Sequence, residues 1–364
     1  ALGGTGTGTT VSGGILDLQA NIGAEPITLS GGALQTTAGT GAIAGTITLS
    51  SDSTITVDGT LTLSGAIGGA YSLTKAGSGT LNLTGNNTYS GGSTTINAGT
   101  VVVSGSGSLG ASTNNLTLSG TASLDLQKSL TVANLVLASG NTITNSTGTS
   151  SLTVNGTSSL AGTITTSGDQ TYTGASTLLA NTSLISNSGA GNGTITFSSA
   201  VNSNSGNNYS LTTTTGTGST TFSSTVGATQ ALLSLTTSGD ASLGGNITTI
   251  GTQNYGGNLT LTGTDINLNT TNSAVTISGG VIANAASNGI IQFLGAGSYQ
   301  YSADDGVNYT TYSAVSGSQP SGVTITYSAG TALYNWSRPS GVTEVALLVV
   351  GGGGGEIGRA SCRE

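Results

Sequence analysis

The sequence has no histidine and no methionine, and it holds only one cysteine and three prolines. Without histidine, a Ser-His-Asp triad cannot form, and a cysteine nucleophile has no imidazole to activate it. The usual zinc motifs, which need histidine or several cysteines, are absent as well. No apolar run approaches the roughly 18 residues that a membrane-spanning helix needs, so no transmembrane segment is expected.

Charged residues are also scarce. They make up 5% of the 364 residues, whereas about 25% is typical of soluble domains. The 13 acidic and 5 basic residues give a net charge of −8 and form no basic patch in the sequence. This composition argues against nucleic acid as a partner, because phosphate binding needs clustered Lys and Arg.

Paired carboxylates are the remaining route to catalysis. Asp52 and Asp58 flank one predicted strand, but the three basic residues outside the last nine positions, Lys75, Lys128 and Arg338, are far apart in the sequence. Glycoside hydrolysis needs two carboxyl groups held together around one bond. We therefore expect no enzyme activity and no cofactor, and a fragment of a carbohydrate-active β-helix enzyme is the alternative.

A second acidic cluster, Asp304, Asp305 and Asn308, offers closely spaced oxygen atoms that could bind Ca²⁺. The same Asp- and Gly-containing segment is typical of a turn between strands, which needs no ion. We prefer the turn, so no metal site is expected.

Glycine is abundant, with 62 residues, and short runs alternate between aliphatic and polar residues. Each run places Leu, Ile or Val on one face and Thr or Asn on the other, which is typical of half-buried strands. Gly, Asn, Asp or Ser ends each run and supplies the positive-φ positions of tight turns. The fold class is therefore all-β, with helix content near zero. Such runs occupy residues 46–49, 54–57, 61–63, 81–83, 116–118 and 259–261.

Several similar strands recur about 20 residues apart, at residues 61–63, 81–83 and 101–103. A period of that size without helices predicts a β-solenoid whose coil contains two or three short strands. Equivalent side chains of neighbouring coils would lie about 4.8 Å apart. Like charges would repel along such a stack, which explains why charge is scarce.

Three tyrosines mark a longer repeat, because Tyr89, Tyr172 and Tyr255 are 83 residues apart each time. Around each of them the sequence reads Gly, two variable positions, Thr or Asn, Tyr, any residue and Gly. Four coils of about 21 residues would account for this spacing. The first copy has one extra residue, and we interpret Ser93 as a β-bulge that keeps Ile96 on the buried face.

The amino-acid composition of the sequence changes near its end. Six of the 11 tyrosines and the single tryptophan lie between residues 299 and 336, and the last nine residues, EIGRASCRE, contain the only cysteine. The chain begins within the repeat pattern, at ALGGTGTGTT, so we interpret it as a fragment. We predict a β-helix over 1–297, a Tyr-rich small β module or cap over 298–343, the start of a glycine-rich domain over 344–355, and a sequencing-adapter artefact over 356–364.

Residues 77–105, GSGTLNLTGNNTYSGGSTTINAGTVVVSG, resemble the passenger-associated repeat of bacterial autotransporters, G-x-G-x-L-x-L-x-G-x-N-T-Y-x-G-x-T-x-I-x-x-G-x-L. The chain departs from this pattern by the inserted Ser93 and by Val101, where Leu is usual. Residues 210–268 resemble the repeats of filamentous-haemagglutinin-like adhesins, and residues 338–355 resemble the entry to glycine-rich bacterial surface domains. The matching positions are Gly77, Gly79, Leu81, Leu83, Gly85, Asn87, Thr88, Tyr89, Gly91, Ile96 and Gly99.

The resemblance implies a right-handed parallel β-helix in a secreted or surface-displayed passenger of a Gram-negative bacterium. It implies a non-catalytic adhesin shaft that mediates adhesion or display, with an outer-membrane β-barrel translocator as partner in cis or in trans and a host or cell-surface ligand that the sequence does not name. We assign structural positions of the repeat to Gly85, Asn87, Tyr89, Gly91, Ile96, Tyr172, Gly174, Tyr255 and Gly257.

Pairs of threonines two positions apart provide a rival interpretation, because they resemble the side-chain pattern of ice-binding β-solenoids. Examples are the pairs that begin at Thr46, Thr142, Thr163 and Thr194. In the sequence these pairs are irregularly spaced, so the solvent face of ordinary strands is the preferred interpretation.

Overall fold

The computed structural model describes residues 8–187, 192–263, 266–283, 290–295, 298–302, 310–313, 324–328, 333–337 and 349–350. The chain divides into two compact units, of which the first comprises Ala1–Ser199 and Thr213–Gly218 and the second Ala200–Thr212 and Ser219–Glu364. Both units consist of short strands and turns, and no residue in the described part of the chain is helical.

The strands follow one another at short intervals. In chain order they are β1 Thr9–Val11, β2 Ile15–Asp17, β3 Ile27–Leu29, β4 Ala33–Thr36, β5 Thr40–Ile43, β6 Ile47–Leu49, β7 Ser53–Val57, β8 Thr60–Leu63, β9 Ile67–Gly69, β10 Leu73–Ala76, β11 Thr80–Leu83, β12 Ser93–Val103, β13 Asn115–Leu126, β14 Leu130–Val132, β15 Leu135–Leu137, β16 Thr142–Thr144, β17 Leu152–Val154, β18 Ser158–Thr165, β19 Gln170–Tyr172, β20 Ser176–Ile185, β21 Ile195–Phe197, β22 Val201–Ser203, β23 Leu211–Thr214, β24 Ser219–Phe222, β25 Leu235–Thr237, β26 Asp240–Leu243, β27 Ile247–Thr248, β28 Gln253–Tyr255, β29 Leu259–Leu261, β30 Asn267–Asn269, β31 Val275–Ile277, β32 Val281–Ala283, β33 Ile290–Gly295, β34 Ser298–Ser302, β35 Thr310–Ser313, β36 Thr324–Ser328, β37 Leu333–Ser337 and β38 Val349–Val350.

Strands about one coil apart pair in parallel. In the first unit, β3 pairs with β6 and β6 pairs with β9, and β5, β8 and β11 form a second ladder. In the second unit, β26 pairs with β29 and β25 pairs with β28. The predicted all-β class and the β-solenoid are confirmed, with about 13 turns in all. The described pairings of β33, β34 and β35 are antiparallel, as is that of β36 with β37, whereas β38 pairs in parallel with β30.

The core is a column of aliphatic side chains, each of which lies against its equivalents in the coils before and after it. Because strand residues alternate between faces, the Leu, Ile and Val positions point inward and the Thr and Asn positions outward. Each fully buried aliphatic side chain contributes roughly 1.5–3 kcal/mol. One such column, buried throughout, contains Leu61, Leu81, Val101, Leu124, Ile143, Ile164 and Leu184.

Glycine also forms columns, and the reason differs in part from the one expected. Gly85 has no positive φ, but a Cβ placed on it would overlap the carbonyl of Gly65 in the preceding coil. A Cβ on Gly65 would in turn overlap the carbonyl of Gly45. Glycine is required at these corners because adjacent coils approach too closely for any side chain.

The expected bulge at Ser93 is wrong. Ser93 pairs in register with Asn115, and the register between β12 and β13 shifts only between Ile96 and Ala98. The turn before β12 accommodates the extra residue, because Gly92 has a φ of +90° and open space around it. Ile96 is nevertheless buried, as expected.

One buried hydroxyl provides a test of the core. Thr36 is fully buried, and among the described residues its Oγ1 is the one buried side-chain polar atom without a hydrogen-bond partner. An unsatisfied buried hydroxyl costs about 1–3 kcal/mol, and valine has nearly the same shape. We expect Thr36→Val to raise the free energy of unfolding by about 1 kcal/mol in urea titrations. The adjacent Thr37, which is exposed and accepts from Gln19, is the matched control, and Thr37→Val is expected not to stabilise the fold.

Candidate functional site

The structure places the repeat tyrosines and their neighbours in the interior. Tyr89, Tyr172 and Tyr255 are all completely buried, and Asn87 is 3% exposed. The three tyrosines do not occupy equivalent elements, since Tyr89 lies outside the named strands while the other two end β19 and β28. Each tyrosine has its own set of polar partners.

The Tyr89 cluster connects consecutive coils. The Tyr89 hydroxyl lies 2.8 Å from Oγ1 of Thr94. Asn87 accepts a hydrogen bond from the backbone N–H of Ile67, at 2.9 Å. Its side-chain amide donates to the carbonyl of Ser108, at 2.7 Å. A single asparagine therefore joins the coil before it to the coil after it.

Tyr172 lies in a tighter network. Its hydroxyl donates to Oε1 of Gln170, at 2.9 Å. Nε2 of Gln170 donates to the carbonyls of Ile164 and Ile185, at 3.3 and 2.9 Å, and to Oγ1 of Thr166 at 3.2 Å. The glutamine is completely buried, so it satisfies main-chain carbonyls at a bend that water cannot reach.

The Tyr255 network has the same bonding pattern. Its hydroxyl donates to Gln253, whose Nε2 donates to the carbonyls of Ile247 and Asn269 and to Oγ1 of Thr249. Both networks come from one sequence motif, I-T-T-x-G-x-Q-x-Y, at residues 164–172 and 247–255. Gln170 and Gln253 were not predicted from the sequence, although the identical letters around them were a signal that could have found them.

The four repeat glycines lie where coils approach one another. A Cβ on Gly91 would overlap the backbone of Tyr71, and one on Gly174 would come within 2.5 Å of the carbonyl of Gly156. A Cβ on Gly257 would overlap the side-chain carboxylate of Asp240. Gly85 is the corner glycine described above. These positions favour glycine because of close packing between coils rather than because of ligand binding.

Burial raises the pKa of all three phenols above the ordinary value near 10. The folded chain therefore keeps these protons while the unfolded chain loses them, and stability falls as the pH rises above about 10. We expect the phenols of Tyr89, Tyr172 and Tyr255 to ionise only as the chain unfolds, when phenolate absorbance and far-UV dichroism are followed together. Tyr172→Phe is the control, and it should remove one late-ionising phenol.

Lys75, a basic residue of β10, is only 2% exposed. Its Nζ donates to the carbonyls of Ala76, Gly77 and Ala98, at 2.9, 2.7 and 3.1 Å. Burial lowers the pKa of Lys75 to about 8, and the charge of Asp58 partly opposes this shift. The side chain caps carbonyls at a bend, as Gln170 does elsewhere.

The lowered pKa of Lys75 predicts an unusual pH dependence. Between about pH 8 and pH 10 the folded chain has released this proton while the unfolded chain still holds it, so stability rises with pH. We expect the urea midpoint to increase from about pH 7.5 to about pH 9.5 by the equivalent of about 1–2 kcal/mol. Lys75→Met should abolish the increase, and an equal increase in that variant would contradict the assignment.

The carboxylates are engaged in bonds between coils. Asp52 accepts from the backbone N–H of Ser72 at 2.9 Å, and Asp58 accepts from that of Ser78 at 3.0 Å, each 20 residues downstream. The other described aspartates behave in the same way. Among the described residues, no group of three or more His, Cys, Asp or Glu could hold a metal ion. The remaining aspartates and their backbone N–H donors are Asp17 with Thr37, Asp125 with Ser146, Asp169 with Thr194 and Asp240 with Asn258.

The candidate acids Asp52 and Asp58 lie at opposite ends of β7, about 20 Å apart along an extended strand, so the structure does not bring them together as a catalytic pair. The calcium candidates Asp304, Asp305 and Asn308 lie outside the described residues. What the described polar groups do chemically is satisfy buried or corner backbone groups from coil to coil.

Comparison with known protein families identifies one segment of the chain. Residues 73–103 match the family described as passenger-associated-transport-repeat. No curated protein and no solved structure matches the chain. The matched segment runs from the start of β10 to the end of β12 and contains Asn87, Tyr89 and Lys75. Together with the β-solenoid, it fits a repeat region of an autotransporter passenger.

The described residues include no helix of the length and apolarity needed to cross a membrane.

Proposed function

We propose that the chain is the non-catalytic shaft of an autotransporter passenger that is secreted or displayed at the surface of a Gram-negative cell, where it mediates adhesion or display. The passenger-associated repeat at residues 73–103 is the observation that carries this proposal. The partner is an outer-membrane translocator in cis or in trans, and the ligand is a host or cell-surface molecule.

The use of the polar residues supports a structural role. Asp52 and Asp58, the acids with the best claim to catalysis, each accept a backbone N–H from the next coil. Lys75 donates to three carbonyls of its own bend and of the next coil. Polar groups bound in this way make the stack of coils more rigid, and nothing among the described residues favours a carbohydrate-active enzyme.

The boundaries of the parts are also proposed. We infer that the shaft extends over residues 1–297, that 298–343 form a small Tyr-rich β module or cap, and that 344–355 begin a glycine-rich domain. Residues 356–364 are proposed to be an adapter artefact. Parallel pairing extends to β32 and antiparallel pairing begins with β33 and β34, which supports a change of architecture between β32 and β33, a few residues before the proposed boundary.

Surface display provides the test. The chain, carrying an epitope tag, would replace the passenger of a well-characterised autotransporter, between its signal peptide and its translocator. We expect the tag to become accessible to antibody and to added protease on intact cells. Retention of the tag inside the cell envelope, while the native passenger is exported by the same translocator, would overturn the passenger role.

Adhesion needs a separate readout. Cells that display the chain would be compared with cells that carry the translocator alone, for attachment to host-cell monolayers and to one another. Stronger attachment by the displaying cells is expected. Equal attachment at equal display would remove the adhesive role and leave the shaft intact.

A further inference from the structure

One strand of the solenoid in the second unit comes from far along the chain. The strand β38, Val349–Val350, pairs in parallel with β30, and Val350 is the register partner of Leu268. On its other side Leu268 pairs with Ile247 of β27. The strands β27, β30 and β38 therefore form one continuous ladder, in which β38 occupies the place of the next coil.

The connections that lead into this ladder are short in the two preceding coils. The ladder before it consists of β26, β29 and β32, which also pair in parallel. Residues 244–246 connect β26 to β27, and residues 262–266 connect β29 to β30. Residues 284–348, by contrast, lie between β32 and β38.

The register shows that the short and the long connections span the same corner. Ala283, the last residue of β32, is the register partner of Leu261, the last residue of β29. Val349, the first residue of β38, is the register partner of Asn267, the first residue of β30. The long connection therefore begins and ends where the five-residue connection begins and ends one coil earlier.

The strands within residues 284–348 do not belong to the parallel stack. Their described pairings join β33, β34 and β35 to one another and β36 to β37, and all of them are antiparallel. Register aligns Phe293, Tyr299 and Tyr312 across the three-stranded sheet. Alternation of aromatic and polar positions is typical of an antiparallel sheet with one buried face. The alternate row contains Gln292, Gln300 and Thr311.

Burial in the coil of β30 and β31 agrees with a strand beyond β30. Leu268 of β30 is completely buried, as expected of a core residue with a coil on both sides. Val275 and Ile277 of β31 are only half-buried, although their register partners Gln253 and Tyr255 are completely buried. Among the described strands, none pairs with β31 on the side away from β28. The position that β38 covers is therefore closed, and the position without a further strand is open.

We propose that residues 284–348 are a module inserted at one corner of the solenoid, and that the solenoid resumes at β38. Each coil contacts only its neighbours, so an insertion at a corner leaves the ladders on either side intact. Insertions in repeat proteins map to loops on one face in this way. The shaft then includes β38, the Tyr-rich module is attached to its side, and the glycine-rich domain proposed above begins after residue 350.

Disulfide formation in the full chain tests the pairing of β38. Parallel register partners have Cα atoms about 4.8 Å apart, which is within the range that a disulfide bridges. In a Cys362→Ser background, Asn267→Cys with Val349→Cys should oxidise to a disulfide within one chain. The matched control combines Val349→Cys with Thr276→Cys, an exposed position of β31 in the same coil, and should give at least tenfold less disulfide. Equal yields in the two variants, or a disulfide that forms only between chains, would overturn the proposal.

Removal of the module tests the insertion. In the variant with cysteines at positions 267 and 349, residues 284–348 would be replaced by a second copy of residues 262–266, which span this corner one coil earlier. We expect the shortened chain to form the same disulfide as the full chain, with an unchanged β-sheet dichroism spectrum per residue. Loss of the disulfide on shortening, while the full chain still forms it, would show that the module is part of the shaft and would contradict an insertion. The inference rests on strand register and not on the passenger role, so either can fail alone.

Discussion

Replacing Gly65 with alanine is expected to destabilise the first unit by at least about 3 kcal/mol. The Cβ of alanine would overlap the carbonyl of Gly45 in the coil before it. Moving that carbonyl away costs free energy, because neighbouring backbone hydrogen bonds hold the two coils together. One of them joins the Ser64 N–H to the Ile43 carbonyl at 2.9 Å. Relief requires the coils to separate locally, which breaks ladder bonds and opens the core.

Urea unfolding and amide hydrogen exchange measure this effect. We expect a lower urea midpoint and faster exchange of the amides between residues 43 and 67, since solenoids open locally. Gly13→Ala is the matched control, because Gly13 has no positive φ and a Cβ added to it would meet no atom within 4 Å. Its effect should be within about 0.5 kcal/mol, and similar losses in the two variants would show that close packing is not the reason for glycine at 65.

Much of the fold could be predicted because short stretches of sequence determine which residues of a strand are buried. The alternation at residues 61–63 and 81–83 shows which side chains point inward, and their 20-residue offset is the offset of the paired strands. Period-2 burial needs no knowledge of distant residues. For this reason the class of fold and the core positions around Leu61 and Leu81 followed from the sequence.

The features that could not be predicted depend on what lies one coil away. Glycine is needed at position 85 because of the nearby carbonyl of Gly65 in the preceding coil, and not because of a positive φ. Opposite Asn97, β13 contains one more residue than β12, so the irregularity in register depends on a strand one coil away. The partners of Asp58 and Asp52 lie 20 residues downstream. Turn lengths vary, so such pairings cannot be read from spacing alone.

The buried glutamines are the clearest example of a feature that the spacing of Gly and Tyr in the sequence did not predict. The frame around the tyrosines was read from Gly and Tyr, whereas the side chain that satisfies the bend is the amide two residues before Tyr172 and Tyr255. Asn87 holds the equivalent sequence position before Tyr89 but bonds to different groups. The amide is therefore retained in all three copies while its partners change.

Replacing Gln170 with leucine is expected to lower the free energy of unfolding of the first unit by about 2–4 kcal/mol. Leucine fits the volume but cannot donate to Ile164, Ile185 or Thr166. It also leaves the Tyr172 hydroxyl without its acceptor inside the core. Each buried polar group left unsatisfied costs about 1–3 kcal/mol. The loss at Ile185 is smaller, because its carbonyl also accepts from the Thr166 N–H at 2.8 Å.

Two further variants separate the glutamine from the tyrosine. Tyr172→Phe leaves only Oε1 of Gln170 without a partner and keeps the stacking on Phe197, whose ring centre is 5.0 Å away, so it should cost about 1 kcal/mol. The double variant Gln170→Leu with Tyr172→Phe should be more stable than Gln170→Leu alone, because the orphaned hydroxyl is gone. Additive losses in this cycle, measured by urea unfolding, would contradict the network. Gln253→Leu should reproduce the loss in the second unit, since the same motif at 247–255 makes the same set of bonds.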